Sequence, residues 1–243
     1  MKLSVVVPAR DEAPSIVPLV AEIRRALEGR FDYEIICVDD GSEDRLPEAL
    51  RAARAAAGVR MRVLRHERSC GQSTAVWNGV QAADGELIAT LDGDGQNDPA
   101  DIPRLVTALL LNEPEGFRLV IGHRTRRNDS FVRLLSSRIA NGIRGSLLGD
   151  QTPDTGCGLK VFRREVFLAL PYFDHMHRFL PALIQRQGGS VLSVPVNHRS
   201  RTRGRSKYGI HNRLWAGIVD LLGVAWLLRR ERRPTAVLEE FPE

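Results

Sequence analysis

Through the first half of the chain, short apolar runs alternate with longer stretches of helical periodicity. KLSVVVP (2–8) is rich in β-branched residues and is stopped by Pro8, the pattern of a buried strand. Residues 13–29 then carry Ile16, Leu19, Val20, Ile23 and Leu27 at helical spacing and close at Gly29. The same rhythm predicts strands over 33–40, 60–66, 86–92 and 117–124. Between them it predicts helices over 44–57, 72–83 and 99–112, the last opened by Asp98-Pro99. Strands separated by helices of about 10–15 residues point to an α/β fold with a parallel, doubly wound sheet. Such sheets bind ligands beyond the carboxyl ends of their strands. The polar clusters fall there: ARDE after the first strand, DDGS after the second, DGDGQND after the fourth.

Beyond residue 125 the rhythm changes. Residues 130–148 read as one helix with Phe131, Leu134, Leu135, Ile139 and Ile143 on one face. A strand over 159–162, helices over 164–170 and 176–187, a strand over 190–198 and a helix over 210–232 follow. No internal repeat or clean linker interrupts the chain, so 1–209 is expected to form one domain. Residues 210–243 would then be an amphipathic helical extension with a polar tail.

Composition narrows the class. With 243 residues, 43% hydrophobic and 27% charged, the chain has the balance of a globular domain, which excludes a disordered or rod-like protein. The net charge is +5, and only Lys2, Lys160 and Lys207 among the 35 basic residues are lysines. Arginine suits a two-pronged grip on phosphate or carboxylate, so the balance points to nucleic acid, a membrane surface or a phosphorylated small molecule. No apolar run reaches the roughly 18–20 residues of a spanning helix, and the N-terminus lacks a signal-peptide pattern, so the chain is expected to begin in the cytosol. Cys37, Cys70 and Cys157 are too widely spaced for a disulfide framework or a zinc motif and read as reduced thiols.

Three stretches carry candidate chemistry. LDGDG sets Asp92 and Asp94 two residues apart at a strand end, so in extended chain both carboxylates reach the same side. Their hard oxygens, with Gln96 two further on, suit Mg2+ or Mn2+, although an ordinary Asp/Gly turn has the same pattern. VDDGS sets Asp39 and Asp40 at another strand end, either as acceptors for a ribose or base or as the cap of the next helix. HRSRTRGRSKYG places Arg199, Arg201, Arg203, Arg205 and Lys207 at every second residue, all on one face if extended. That comb is a phosphate or headgroup clamp, or else a charged edge strand. Residues 214–228 are nearly all apolar, broken by Asp220 and followed by RRERR. An interfacial helix, a helix packed on the core or a dimer contact all fit, and a tilted spanning helix less well. GxGxxG after the first strand, GxxxxGK[ST], HExxH and GxSxG are all missing, which argues against a dinucleotide oxidoreductase, a P-loop enzyme, a zinc protease and a serine hydrolase.

Taken together, these pieces resemble an inverting glycosyltransferase of family 2 with the GT-A fold. More narrowly the chain is similar to the dolichyl-phosphate mannose synthases and bacterial undecaprenyl-phosphate sugar transferases. The motifs run in order through nearly the whole chain: VVPARDE (5–12), VDDGS (38–42), GQSTA (71–75), LDGDGQNDPADIPRL (91–105) and GHR (122–124). They continue in the Arg133–Ser137–Asn141 spacing, DTGCGLKVFRRE (154–165), RFLP (178–181) and HRSRTRGRSKYG (198–209). Two features depart from the family: Gly93 and Gly95 stand where Ala- or Leu-type residues are usual, and no paired spanning helices follow SKYG.

The resemblance implies a nucleotide-diphosphate sugar as donor, with Pro8, Ala9, Arg10, Glu12, Asp39, Asp40 and Gln72 around the nucleotide. It implies Asp92, Asp94 and Gln96 as ligands of Mg2+ or Mn2+. Asp92, Asp94 and Arg124 would carry catalysis, and Arg124, Arg133, Ser137, Arg201 and Lys207 would hold the phosphate of a polyprenyl monophosphate acceptor. GDP-mannose is favoured as donor over a UDP-hexose, and the product would be a β-linked polyprenyl-phosphate sugar. The expected place is the cytoplasmic side of a membrane, peripheral or monotopic, with a membrane protein or a second copy of the chain as further partners and no nucleic acid. Two rival readings remain: a family 2 enzyme with an acceptor other than a lipid phosphate, and a basic nucleic-acid-binding or membrane scaffold protein.

Overall fold

A computed structural model of the chain describes residues 1–124, 142, 144–199 and 210–230, with side chains of the last helix from 217 on. The first half holds β1 (Lys2–Ala9), α1 (Ala13–Leu27), β2 (Asp32–Asp39), α2 (Leu46–Ala56) and β3 (Met61–Arg65). It continues through α3 (Gln72–Ala82), β4 (Leu87–Thr90), α4 (Ile102–Asn112) and β5 (Phe117–Arg124). After a short helical stretch at 144–148 come β6 (Lys160–Arg163), α5 (Arg164–Leu168), α6 (Leu180–Arg186), β7 (Ser190–Val196) and α7 (Ile210–Arg229). Residue 142 is helical as well; the remainder of the helix expected over 130–148 lies outside the described residues. Two expected helices begin differently. Residues 99–101 form a 3-10 turn capped by the Asp98 side chain, and 176–178 form another after His175, which sits in the left-handed region.

The strands form one seven-stranded sheet in the order β3-β2-β1-β4-β6-β5-β7. Every pairing is parallel except those of β6, which runs antiparallel to both β4 and β5. Successive residues of β1 and β2 point to opposite faces, and both faces are covered. Val5, Val7, Ile35 and Cys37 pack toward α1, α2 and α4, while Val6, Ile36 and Val38 pack toward α3, α5 and α6. Ile16, Leu19, Ile23 and Leu27 lock α1 onto the first face, each worth about 1.5–3 kcal/mol of burial.

Because β1 lies between β2 and β4, the chain leaves β1 toward one side of the sheet and later returns on the other. This reversal opens a crevice at the carboxyl ends of β1, β2 and β4. The reversed β6 starts at that same end, with Lys160 paired to Thr90 on one side and Ile121 on the other. The segment leading into β6 is thereby delivered to the crevice as well.

The last helix settles part of its own question. Val224 and Ala225 of α7 are buried in the second core cluster, and Asp220, which breaks the apolar run, accepts from His175 Nδ1 at 2.7 Å. Among the described residues, no helix is long and apolar enough to cross a membrane.

Candidate active site

The crevice is built from interlocked loops. Asp11, held at a positive φ of 55°, accepts from the amides of Glu43 (2.8 Å) and Asp44 (3.1 Å), while Asp44 accepts from the amide of Ala13 (3.1 Å). The loops after β1 and β2 therefore brace each other through two reciprocal carboxylates. Asp39 is buried, accepts from the Ser42 amide at 2.9 Å and pairs with Arg65 at 3.3 Å.

Asp40 is the hub of the next loop. Its Oδ1 accepts from His66 Nδ1 and the Cys70 amide, each at 2.7 Å, and its Oδ2 from Ser69 Oγ (2.8 Å) and the Gly71 amide (3.0 Å). Burial pushes this carboxyl up, but the bonds from Cys70, His66, Ser69 and Gly71 outweigh it and hold it below the usual range. Asp39 and Asp40 thus shape the crevice floor; both Asp40 oxygens accept hydrogen bonds from protein, whereas Asp39 Oδ2 accepts none and meets only the Arg65 guanidinium as an ion pair. Pro8 and Ala9 form the end of β1, Glu12 is buried behind them, and exposed Arg10 donates to Ser69 Oγ at 2.9 Å.

The Asp92 turn closes the crevice on the β4 side. The Gly93 amide donates to the Pro8 carbonyl at 3.1 Å, and a Cβ on Gly93 would sit 2.8 Å from that of Ala9, so a side chain there has no room. Gly158 comes as close from the other side, where a Cβ would lie 2.4 Å from Asp92 Oδ2. These contacts hold Asp92 in a hollow lined by Pro8, Gln72, Thr90, Gly158, Lys160 and His177. Burial, reinforced by the charge of Asp94, pushes the Asp92 carboxyl up to about 6, against the pull of Lys160, Arg124 and a 2.7 Å hydrogen bond from Gln72 Nε2. Gln72, expected beside the nucleotide, is thus also a direct partner of Asp92. The donors at Asp92, Asp94 and Gln96 are all oxygen-bearing groups that suit a hard divalent ion. The crowding of two carboxylates there is the condition such an ion relieves.

Arg124 leaves β5 beside Asp154, with Nε and Nη2 donating to its two oxygens at 2.6 and 2.7 Å. Burial pulls the Arg124 value down, and the Asp154 pairing more than restores it, so this guanidinium is firmly cationic. Arg199, the first tooth of the arginine comb, is paired within the protein. It pairs with Glu22 at 2.6 Å and Asp98 at 2.8 Å, and its backbone bonds Gln96 in both directions. The comb is therefore anchored to the Asp92 turn at its root. Arg133, Ser137, Arg201 and Lys207 lie outside the described residues.

Asp154, Lys160 and His177 belong to this site and were not singled out from the residues one at a time. Lys160 is buried, which lowers its pKa, and donates to the Cys157 carbonyl. His177 bonds Ser73 Oγ at 2.7 Å and is held neutral, well below the usual value, by burial and by the nearby Lys160, Arg178 and His175 charges. The polar TPDTGCGLK run ahead of a strand was the available signal for Asp154 and Lys160. His177 lies within an expected helix and had none.

The raised Asp92 carboxyl has a pH consequence. Its folded-state value lies above that of an unfolded chain, so the folded protein gains proton affinity there. Whatever stability this gives in acid is lost as the pH rises through about 6. Protons and a divalent ion compete for the same oxygens in that window. Binding of Mn2+ followed by calorimetry is expected to weaken steadily below about pH 6 and to level off above it; a flat profile from pH 5 to 8 would contradict the assignment.

Comparisons with known proteins agree on the family. The glycosyl transferase family 2 profile matches residues 4–170. The chain is 37% identical over 238 residues to the dodecaprenyl-phosphate galacturonate synthase of Rhizobium johnstonii, covering 96% of this chain and 69% of that protein. It is 36% identical over 209 residues to the undecaprenyl-phosphate 4-deoxy-4-formamido-L-arabinose transferase of Edwardsiella ictaluri, covering 86% of this chain and 63% of that protein. The chain thus spans about two thirds of the length of these relatives. Among solved structures, the glucosyl-3-phosphoglycerate synthase of Mycobacterium tuberculosis with Mn2+, UDP-glucose and phosphoglyceric acid aligns with a TM-score of 0.69. It is 23% identical, over 93% of this chain and 79% of that one, a likeness of fold. On the profile match, the two relatives and the GT-A architecture, the chain belongs to glycosyltransferase family 2.

Proposed function

We propose that the chain transfers a hexose from a nucleotide-diphosphate sugar to a polyprenyl monophosphate, with inversion at the sugar carbon. The observation that carries this reading is the charge arrangement of the crevice: Asp92 and Asp94 at the end of β4, with Arg124 set beside them by Asp154. The relatives, named for dodecaprenyl and undecaprenyl phosphate, support the acceptor class. The GDP-mannose reading rests on motif resemblance, whereas the sugars in the relatives' names are galacturonate and formamido-arabinose, so the donor panel has to include both kinds.

The chemistry asks little of a general base. A phosphate monoester is largely dianionic near neutral pH, its second pKa being about 6, so the acceptor oxygen is already a nucleophile. It forms the new bond to the sugar carbon as the bond to the nucleoside diphosphate breaks, and the leaving diphosphate takes the electron pair. Asp92, Asp94 and Gln96 would hold a divalent ion, which supplies charge neutralisation for that diphosphate. Lys160 and Gln72 set the charge and orientation of Asp92, and Arg124 meets the acceptor phosphate. Arg133, Ser137, Arg201 and Lys207 complete the acceptor set by motif position.

A transfer assay tests this directly. Purified protein, Mn2+, a short polyprenyl phosphate and labelled GDP- and UDP-sugars are expected to move label from one donor into the organic phase, and EDTA should abolish it. Asp94→Ala is expected to lower turnover by about a hundredfold or more, the scale of losing one element of transition-state charge stabilisation. Hydrolysis of a donor without organic-phase label would overturn the lipid acceptor and favour a soluble one.

The described part of α7 suggests where the lipid is met. Ile218, Leu222 and Trp226 form a stripe at every fourth residue, with Leu222 and Trp226 about 60% exposed and Val219 beside them. Arg230 lies over the Trp226 ring at 5.9 Å, and Arg229 is exposed next to it. Aromatic and arginine side chains ending an apolar stripe match a bilayer interface, on the cytoplasmic side in this reading. Leu222→Asp/Trp226→Asp is expected to cut sedimentation with anionic vesicles several-fold while the protein stays folded. Unchanged sedimentation would point instead to a second copy of the chain on that face.

A further inference from the structure

We propose that Asp40, His66 and Cys70 form a second metal site, chemically distinct from the Asp92 turn, that takes Zn2+ or another thiophilic divalent ion. One carboxylate oxygen, one imidazole nitrogen and one sulfur lie there within 4.8 Å of one another. Bonds of about 2.0–2.3 Å to a tetrahedral zinc bring such atoms to about 3.5 Å apart, so the Asp40–His66 pair, now 2.7 Å apart, opens slightly to admit the ion while the Cys70 sulfur closes on it. Two of the three ligands are already fixed. Asp40 is pinned by the Cys70 and Gly71 amides and by Ser69 Oγ, and His66 Nε2 lies 2.9 Å from Asn78 Nδ2. The third, Cys70, is exposed and can swing inward, its Sγ being held only at 3.3 Å from the Arg68 carbonyl.

The proton balance works without a co-reactant. In the hydrogen-bond pattern with Asn78 donating, His66 carries its proton on Nδ1 and shares it with Asp40. The ion takes that proton's place: His66 moves its proton to Nε2, Asn78 turns its amide to accept it, and the Cys70 thiol releases one proton. A dication, a carboxylate and a thiolate leave the site neutral. Sulfur and imidazole favour Zn2+ over Mg2+, whereas the all-oxygen set at Asp92, Asp94 and Gln96 favours the hard ion. The two sites therefore sort ions by softness.

The site is also coupled to the crevice. Cys70 immediately precedes Gly71, the cap of α3, and Gln72, the first residue of that helix, bonds Asp92 at 2.7 Å. Arg10 rests on Ser69 of the same loop. Drawing Cys70 toward His66 strains both contacts, so occupancy is expected to inhibit rather than activate. That consequence rests on the proposed transfer activity; the binding itself does not.

Cobalt titration of the full chain in excess Mg2+ separates the two. One equivalent of Co2+ is expected to give a thiolate-to-cobalt charge-transfer absorption and to release one proton, and added Zn2+ should displace it. Cys70→Ser should abolish the absorption, and His66→Gln, which keeps a hydrogen-bonding group beside Asp40, should weaken binding at least tenfold. Asp94→Ala should leave the absorption unchanged. Matching thermal melts for Cys70→Ser and the parent chain confirm that the comparison is between folded proteins. No charge-transfer band in the parent chain, or a band that survives in Cys70→Ser, overturns the site. A band with no loss of transfer activity keeps the site and removes its inhibitory role.

Discussion

A carboxylate in a half-closed hollow is the constraint around which the crevice is arranged. Asp92 is pressed between Gly158 and the turn that follows it, with Asp94 repelling it and a carboxyl raised to about 6. Water cannot screen it fully, so the protein supplies Gln72 as a donor and Lys160 and Arg124 as nearby cations. Even so the carboxyl stays raised above its usual range, and the crowded charge of Asp92 and Asp94 is what a hard divalent ion would offset. The two glycines that depart from the family's usual residues fit the same picture. Gly93 lets the turn lie against Ala9, and Gly95 takes a φ of +73°, a conformation other residues rarely adopt.

The other side of the crevice depends on Asp40 in a complementary way. There a carboxylate is stabilised by four protein donors and organises the loop from His66 to Gly71. That loop ends at the cap of α3, so the Asp40 hub and the Asp92 hollow are joined through a single helix start at Gln72. A change at either one reaches the other through a few bonds, which is how a thiol outside the transfer chemistry can influence it.

The sequence pattern made the sheet largely legible. The five strands of the first half and the helices between them stand close to where apolar runs and helical spacing put them, most clearly β1, β2 and β4, which are buried on both faces. The direction of β6 was not legible: a four-residue strand carries no mark of its orientation, and this one is reversed. That reversal brings Asp154 and Lys160 into the crevice from a distant part of the chain. For the same reason the cysteine spacing gave no hint of a soft-metal site, since Asp40 and His66 join Cys70 only in three dimensions. Asp92, Asp94 and Gln96 were visible because one tight turn carries all three. The arginine comb read as a uniform row, yet Arg199 differs in being a strut to Glu22 and Asp98.

In the proposed reaction, the hollow around Asp92 recognises a nucleoside diphosphate only in company with a hard cation. Calorimetric titration of GDP and of UDP into the protein, with Mn2+ and then with EDTA, measures this most directly. One of the two nucleotides is expected to bind with Mn2+, and the binding to be lost in EDTA and lost again in Asp92→Asn with Mn2+ present. Equal affinity with and without the cation would contradict it.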